Sequence, residues 1–289
     1  DYERFTGRVN VNTQLSDWLK TGLNISGTYA IQNFMGSTNS TAGGYNPFFT
    51  SRNFAPIYPV YYYNANGERE IDPLTGDYKY DWGSLNVDPT SSIGTRANLP
   101  NANVLGTMSL NQNRANVTNI VAVPYLEAKF LKNFKFRTTF SGNINNSRSY
   151  EYRNPFYGDS KTYLGSFSDG MSSSLYYTFN QVLSWGKALD KDGNHQLDAL
   201  VGHENYYAYG SSMSTARRGV ANPGNPSLTG APVSVSATGA HSDDRMESYF
   251  AQANYNYKGK YFFTVNGRRD GSSRFHPDVR WGNFWSVGG

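Results

Sequence analysis

Between Phe134 and Asn145 the sequence alternates strictly between two kinds of residue. Every second position belongs to a mostly apolar set: Phe134, Phe136, Thr138, Phe140, Gly142 and Ile144. The intervening positions form a polar set: Lys135, Arg137, Thr139, Ser141, Asn143 and Asn145. Successive side chains of a β-strand point to opposite faces of the sheet. The pattern therefore predicts a long strand with one apolar face and one hydrated, charged face.

The same alternation recurs along the chain and predicts eight strands and the start of a ninth. The predicted ranges are 4–12, 18–32, 115–130, 134–146, 173–187, 195–207, 246–257 and 261–269, with a ninth strand from Trp281. Long connections over 33–114, 147–172, 208–245 and 270–280 alternate with connections of a few residues. The register of the third strand stays open, because two apolar sets compete for one face and Pro124 cannot donate a hydrogen bond. The competing sets are Val121, Val123 and Tyr125, and Ala122, Leu126 and Ala128.

Aromatic residues stand on both sides of the short connections. Phe130 and Phe134 flank residues 131–133, Tyr257 and Tyr261 flank residues 258–260, and Trp185 precedes the turn before His195. A barrel in a lipid bilayer carries a girdle of Tyr, Trp and Phe at the headgroup level, where a ring with a polar tip is half hydrated. The sequence thus predicts an all-β fold, a transmembrane antiparallel β-barrel in an outer membrane.

Composition agrees with a barrel that has no aliphatic core. Apolar residues make up 38% of the 289 residues, while aromatic residues reach 16%, with 23 Tyr and 17 Phe. In a large barrel the apolar face meets lipid instead of protein, and no run of about 18 apolar residues predicts a membrane helix. A soluble β-sandwich is the alternative, but several predicted strands exceed the roughly 5 to 6 residues usual in soluble sheets.

Charge and cysteine content exclude several classes of protein. The net charge of +4 comes from 26 basic and 22 acidic residues without a basic cluster, so a nucleic-acid partner is not expected. The absence of cysteine removes disulfides and cysteine-bound metals. No signal peptide is present, and both ends fall within strand patterns, so we expect the sequence to be part of a longer exported protein.

The motifs of catalysis and metal binding are missing from the sequence. Residues 190–194 resemble the start of a calcium loop, but His195 and Val201 occupy the positions where that loop needs Gly and Glu. A polar turn is the simpler interpretation. The four histidines are scattered, and no nucleophile elbow or glycine-rich phosphate loop occurs. We therefore expect no enzyme activity, no metal and no cofactor.

Near the end of the chain, two motifs resemble a known family. Residues 261–275 (YFFTVNGRRDGSSRF) and 280–287 (RWGNFWSV) are similar to the RDGSSRF and RWGxFPS motifs of SusC/RagA-type TonB-linked outer-membrane proteins of Bacteroidota. Residues 4–8 with 17–20, and 195–204, resemble other strands of that family. Trp285 departs from the usual proline. The motif residues, which we expect to be structural, are Arg269, Asp270, Gly271, Ser272, Ser273, Arg274, Phe275, Arg280, Trp281 and Gly282.

Residues 270–274 could form a binding loop, but a turn is the plainer interpretation. Gly271 and the small hydroxyl residues permit tight backbone geometry there, and Asp270 and Arg274 are expected to pair or to cap the turn.

The resemblance implies a barrel of about 22 strands, of which residues 1–289 form a part without the N-terminal plug and the last strands. It implies import of oligosaccharides or peptides, a SusD-like surface lipoprotein as partner, and energy from the TonB complex. Outer-membrane lipid would surround the barrel. A passive porin, or an all-β adhesin or glycan-binding module outside the membrane, remains the alternative.

The connection 33–114 is the candidate binding segment, and its length in a membrane barrel predicts an extracellular loop. Its aromatic residues stand among Asp, Asn and Arg, and flat rings stack on sugars and also anchor protein interfaces. Packing within the loop and contact with the partner lipoprotein are the alternatives to substrate contact. The candidate residues are Tyr58, Tyr61, Tyr62, Tyr63, Tyr78, Tyr80 and Trp82.

Overall fold

The computed structural model describes residues 1–34, 46–83 and 96–289, and nine antiparallel strands dominate it. The strands are β1 Tyr2–Ser16, β2 Leu19–Asn33, β3 Gln112–Phe130, β4 Phe134–Arg153, β5 Ser166–Ala188, β6 His195–Arg218, β7 Val233–Tyr257, β8 Tyr261–Ser272 and β9 Trp281–Gly288. Two short helices, α1 Pro47–Asn53 and α2 Val104–Leu110, lie between β2 and β3, and single 3-10 turns cover Asp159–Tyr163 and Pro277–Val279. No helix in these ranges is long and apolar enough to cross a membrane.

The strands pair in sequence order, so the sheet is a simple meander. All short turns therefore lie at one end of the sheet, and the four longer connections lie at the other. At the turn between β3 and β4, Leu131 and Lys132 both have positive φ, the backbone geometry of a tight hairpin turn. In the described sheet β1 pairs only with β2 and β9 only with β8.

Strand register aligns the two predicted faces across the whole sheet. Phe136 lies opposite Ala128 on β3 and Leu183 on β5, while Arg137 lies opposite Glu127 and Val182. We call these two surfaces the apolar face and the hydrated face. The register of β3 is also settled: Ala122, Leu126 and Ala128 share the apolar face, and Val121, Val123 and Tyr125 share the hydrated face.

Within the described ranges, no second layer of protein covers the apolar face. Phe5, Val9 and Val201 on this face are 63%, 59% and 55% exposed, and Trp285 is 81% exposed. A soluble β-sandwich would bury such side chains against a facing sheet. The sheet thus separates two environments. A buried apolar cluster lies at the far ends of β4 and β5 and in the β6–β7 connection, and it consists of Tyr152, Phe167, Val220 and Ala231.

The predictions of loops over 147–172 and 208–245 are wrong. β4 continues to Arg153, β5 begins at Ser166, β6 continues to Arg218 and β7 begins at Val233, so the connections are only 154–165 and 219–232. The added segments are rich in Ser and also contain charged residues and Gly, so the apolar alternation is weaker there. Backbone hydrogen bonding between strands does not depend on that alternation, and the pairing continues.

Candidate functional site

One row of residues crosses the hydrated face from β1 to β9. Each member pairs directly with the next across the strands, and the row consists of Asn12, Gly22, Tyr125, Thr139, Asn180, Glu204, Ser248, Asp270 and Gly282. Directly opposed side chains lie close enough to interact. The row is a nearly continuous line of polar groups with glycines at two positions.

Gly22 leaves room for a bond between two strands that are not neighbours. The Tyr125 hydroxyl on β3 passes over Gly22 on β2 and donates to Oδ1 of Asn12 on β1, at 2.8 Å. A Cβ at Gly22 would collide with both the Tyr125 ring and the Asn12 side chain. The glycine is therefore required by the close approach of the tyrosine, and the bond ties three strands together.

At the other end of the row, Arg268 is the centre of a charged network. Its Nε donates to Asp270 at 2.7 Å, and its Nη2 donates to Glu204 at 3.2 Å and to Ser248 at 3.0 Å. Asn180 donates to the second oxygen of Glu204 at 3.2 Å. The guanidinium lies 5.6 Å from the Phe250 ring centroid. The network pairs Arg268 with two carboxylates and holds these three charged groups in defined positions on the hydrated face.

An apolar patch lies beside this network on the same face. Leu200, Phe250 and Phe284 line an open cavity of about 440 Å³ together with the polar side chains of Gln252 and Asn266. Phe284 is 59% exposed. Alternation alone would place polar residues here, so the patch was missed by the sequence analysis, and the even-numbered phenylalanines of β7 and β9 are the signal that could have found it.

In the segment between β2 and β3, residues 61–80 form a small antiparallel unit with two tight turns, over 64–68 and 72–77, and we call this unit the tyrosine hairpin. It is held by bridges between Tyr61 and Tyr80, Tyr63 and Arg69, and Ile71 and Tyr78. The Arg69 guanidinium lies 4.7, 5.8 and 5.5 Å from the ring centroids of Tyr61, Tyr63 and Tyr78. These cation–π contacts hold the rings around one cation at the protein surface.

The hairpin is attached to a buried centre, the cap core, made of Asp81, Trp82, Arg96, Asn103 and Tyr157. Arg96 and Asp81 form a salt bridge of 2.7 Å, and both side chains are fully buried. Arg96 also donates to the carbonyl of Ala102 at 2.7 Å. Burial lowers the pKa of the Arg96 guanidinium, and the Asp81 carboxylate partly offsets that effect.

The cap core joins two connections of the sheet. The Trp82 ring stacks on Tyr157 of the β4–β5 connection with centroids 5.6 Å apart and planes at 3°. Asn103 donates to the carbonyls of Val60 at 2.8 Å and Asp81 at 2.9 Å, so it closes the base of the tyrosine hairpin. Asn154, in the β4–β5 connection, donates to Asn111 beside β3 at 2.8 Å.

The seven aromatic residues predicted as a binding segment thus have different environments. Trp82 is buried in the cap core, and Tyr58 packs on Phe54 and lies 5.0 Å from the Arg96 guanidinium. Tyr61, Tyr63, Tyr78 and Tyr80 belong to the tyrosine hairpin, and Tyr62 faces Lys79 at 4.5 Å. The part of the predicted loop over 35–45 and 84–95 lies outside the described residues.

The motif of residues 269–282 forms the end of β8, a turn and the start of β9. The hydroxyl of Ser273 accepts from the N–H of Arg245 at 2.9 Å, and the N–H of Ser272 donates to the carbonyl of Arg280 at 3.1 Å. A Cβ at Gly271 would lie 2.9 Å from the Trp281 ring. Phe275 is 60% exposed. Gly282 lies opposite Asp270 on the hydrated face.

The expected pairing of Asp270 with Arg274 is wrong. Asp270 still belongs to β8 and pairs with Arg268, two residues away on the same face, at 2.7 Å. Arg274 lies beyond the strand and makes two hydrogen bonds to Asp244 on β7, at 2.8 and 2.6 Å. The strand ends later than the turn motif suggests, and this separates the two side chains.

The segment 190–194 is a polar turn, and its Asp190 carboxylate is occupied by the backbone. Asp190 accepts from the N–H groups of His195 at 2.9 Å and Asn194 at 3.1 Å. These bonds lower the pKa of Asp190, with the His195 N–H as the main cause. Among the described residues, no group of three or more His, Cys, Asp and Glu side chains could hold a metal ion.

Comparison with known proteins gives one consistent result. The chain is 24% identical over 295 residues to TonB-dependent receptor P3 of Formosa agariphila, covering 98% of this chain and 26% of that protein. It is 25% identical over 296 residues to the TonB-dependent receptor SusC of Bacteroides thetaiotaomicron, covering 99% and 27%. No family model matches the sequence. The chain spans about a quarter of the length of the curated relatives it matches.

Solved structures give the same fold. The RagAB peptide transporter matches with a TM-score of 0.75 at 19% identity, covering 99% of this chain and 29% of that one. The RagAB peptide importer in its open-open state matches with a TM-score of 0.73 at 17% identity, covering 99% and 29%.

The fold is therefore an antiparallel β-sheet that matches part of a transporter's β-barrel wall, as the alternation predicts. Within that class, the chain is similar over nearly its whole length to SusC/RagA-type TonB-dependent receptors, and the resemblance carried by its motifs is confirmed.

Proposed function

We propose that the complete protein imports oligosaccharides or peptides across the outer membrane of a Gram-negative bacterium with energy from the TonB complex. The observation that carries this proposal is the two-faced wall. Its apolar face suits lipid, and its hydrated face carries a cross-strand row of polar groups with the Arg268 network. The similarity to TonB-dependent receptors and to a peptide transporter supports both the transport function and the TonB complex as its energy source.

In this proposal the longer connections lie outside the cell and the hydrated face lines the transport path. The tyrosine hairpin offers rings and hydroxyls that suit either a sugar or a peptide, and the same surface suits a SusD-like lipoprotein. In this proposal the cap core holds the loop in place, and the exposed rings contact the substrate or the lipoprotein, because Trp82 is buried whereas Tyr78 is 44% exposed.

A passive porin is the rival function within the same fold. Its transport would run down a concentration gradient, whereas an importer that captures its substrate tightly needs energy to release it. The test is uptake of a bulky oligosaccharide or peptide in cells with and without functional TonB, at equal barrel abundance. Loss of uptake without TonB is the expected result, and undiminished uptake would establish the porin. If the protein were found outside the membrane fraction, an adhesin or glycan-binding module would be the better interpretation.

A further inference from the structure

On the apolar face, β7 changes from apolar to charged residues at one cross-strand row that runs from β6 to β9. Below it, towards the short turns, β7 presents Ala251 and Ala253, whereas above it β7 presents Glu247 and Arg245 on the same face. The row itself consists of His203, Tyr249, Arg269 and Asn283. It marks a boundary between a surface that suits acyl chains and one that suits water.

The height of this row agrees with the edge of a bilayer. Arg269 stands eight residues above Tyr261, which begins β8 at the short turn. At about 3.3 Å per residue and a tilt of about 40°, the rise is about 20 Å, close to the ~25 Å apolar band of a membrane barrel. Arg269 therefore lies at the level of the headgroups on the side of the longer connections.

Arg269 stands on this face without a charge partner. Its neighbour Arg268 points to the hydrated face and pairs with Glu204 and Asp270, at 3.2 and 2.7 Å. Among the described residues, Arg269 has no salt bridge and no side-chain hydrogen bond. Glu247, the acid on the adjacent strand, already accepts from Tyr249 at 2.6 Å and contacts His203 at 3.1 Å. The guanidinium keeps all its donors available.

Aromatic rings hold the guanidinium in place. Its Cζ lies 5.1 Å from the Trp281 ring centroid, and that ring lies 6.2 Å from Tyr249. Gly271 allows the tryptophan to lie flat on the strand, because any Cβ there would meet its ring. An oriented guanidinium can bind a phosphate through two parallel hydrogen bonds. Val265 and the exposed Trp285 continue the apolar surface directly below.

We propose that Arg269, on its Trp281 platform, binds the phosphate of an anionic lipid headgroup in the outer leaflet. The acyl chains of that lipid lie along the apolar face below, over Val265, Val287 and Trp285. The proposal rests on the proposed function only for the location of the barrel in an outer membrane. It assigns part of the 269–282 motif a role beyond turn formation.

The test uses the complete protein, purified from outer membranes and analysed by native mass spectrometry with two glycolipids. One is a bisphosphorylated lipid A, and the other is the same molecule without its phosphates. We expect the wild type to retain the phosphorylated form preferentially and Arg269→Gln to retain about fivefold less, as one basic residue at an anionic surface would give. Arg269→Lys should recover part of the loss.

Arg148→Gln is the matched control, because Arg148 is also exposed on this face but pairs with Asp169 at 2.8 Å. Its retention should equal the wild type. Equal retention by Arg269→Gln and the wild type would overturn the proposal, as would displacement of the glycolipid by equimolar inorganic phosphate. If Arg269→Gln fails to assemble, equal retention of the two glycolipids by the wild type overturns it. Failure of the proposed function gives different results: the wild type would be missing from outer membranes, or its uptake would not depend on TonB, and the second result leaves lipid binding by Arg269 intact.

Discussion

At the scale of single residues, alternation determines the environment of each side chain. Adjacent residues such as Arg268 and Arg269 differ by one position and lie on opposite faces of the wall. A slip of one residue in the register would exchange every pair of this kind. The register of the sheet is therefore the property that a substitution can test most directly.

Phe140 and Arg137 provide that test in the complete protein. Phe140 lies on the apolar face opposite Phe179, about 15 Å above the start of β4 at the short turn and near the middle of the apolar band. Phe140→Arg should therefore lower the free energy of unfolding by about 2 to 4 kcal/mol. Arg137 lies on the hydrated face, 4.4 Å from the Tyr125 ring and 3.6 Å from Glu127, and is half exposed. Arg137→Ala should cost less than about 1 kcal/mol. The measurement is urea unfolding in lipid vesicles, and equal destabilisation by both changes would reject the register.

The Asp81–Arg96 pair allows a second test within the loop. Asp81→Ala leaves the fully buried guanidinium without its acid, and removal of one partner of such a pair costs about 3 to 5 kcal/mol. The cost should appear as local opening, measured as faster protease cleavage between residues 46 and 83 at unchanged barrel abundance. The double variant Asp81→Asn with Arg96→Met removes both charges and should be cleaved more slowly than Asp81→Ala. Equal cleavage of wild type and Asp81→Ala would show that the pair does not hold the cap core.

At the scale of strands and loops, the alternation predicts the strands and their short turns, but it does not predict the far ends of the strands or the contacts between loops. All nine strands are predicted, and the turn-side ends of β2 to β8 are correct to within one residue, because apolar residues and rings mark that part of each strand. β1 continues to Ser16, four residues beyond its predicted end. The far ends of β4 to β7 are missed, because their Ser-rich sequences resemble loops. The cap core is also missed, since contacts such as Trp82 on Tyr157 join residues that are distant in sequence. The motif locates a turn but not the partners of Asp270 and Arg274.

The tyrosine hairpin can be removed without touching its base. The N–H of Asp81 donates to the carbonyl of Val60 at 3.0 Å, so a short turn can replace residues 61–80 and leave the cap core intact. Loops tolerate such changes better than strands do. We expect normal barrel assembly with strongly reduced substrate uptake or lipoprotein co-purification.

The control for this deletion is Phe48→Ser. Phe48 is 66% exposed on α1, in the same connection but outside the tyrosine hairpin, so its loss should leave uptake and co-purification unchanged. Loss of barrel assembly in the deletion variant would show that the hairpin is structural. Normal uptake and co-purification would show that its exposed rings contact neither substrate nor partner.

At the scale of the whole molecule, the wall has two edges that the described strands leave unpaired. About half of the backbone N–H and C=O groups of β1 point away from β2, and the same holds for β9 with respect to β8. In a bilayer each unsatisfied backbone group costs several kcal/mol, which is why membrane barrels are closed. In a bilayer, β1 and β9 would therefore each need a further strand as a hydrogen-bonding partner.

Residues 1–289 alone should therefore fail to insert as a monomer. Refolding this segment into lipid vesicles should give no protease-protected band and no heat-modifiable band on a gel, whereas the complete protein refolded in parallel should give both. Addition of the other strands of the proposed barrel as a separate chain should restore protection, because these strands would supply the missing partners of β1 and β9. Monomeric insertion with the strands protected would mean that the segment closes on itself, with β1 paired to β9. That pairing would make the segment a small barrel whose hydrated face is too confined to line an import path.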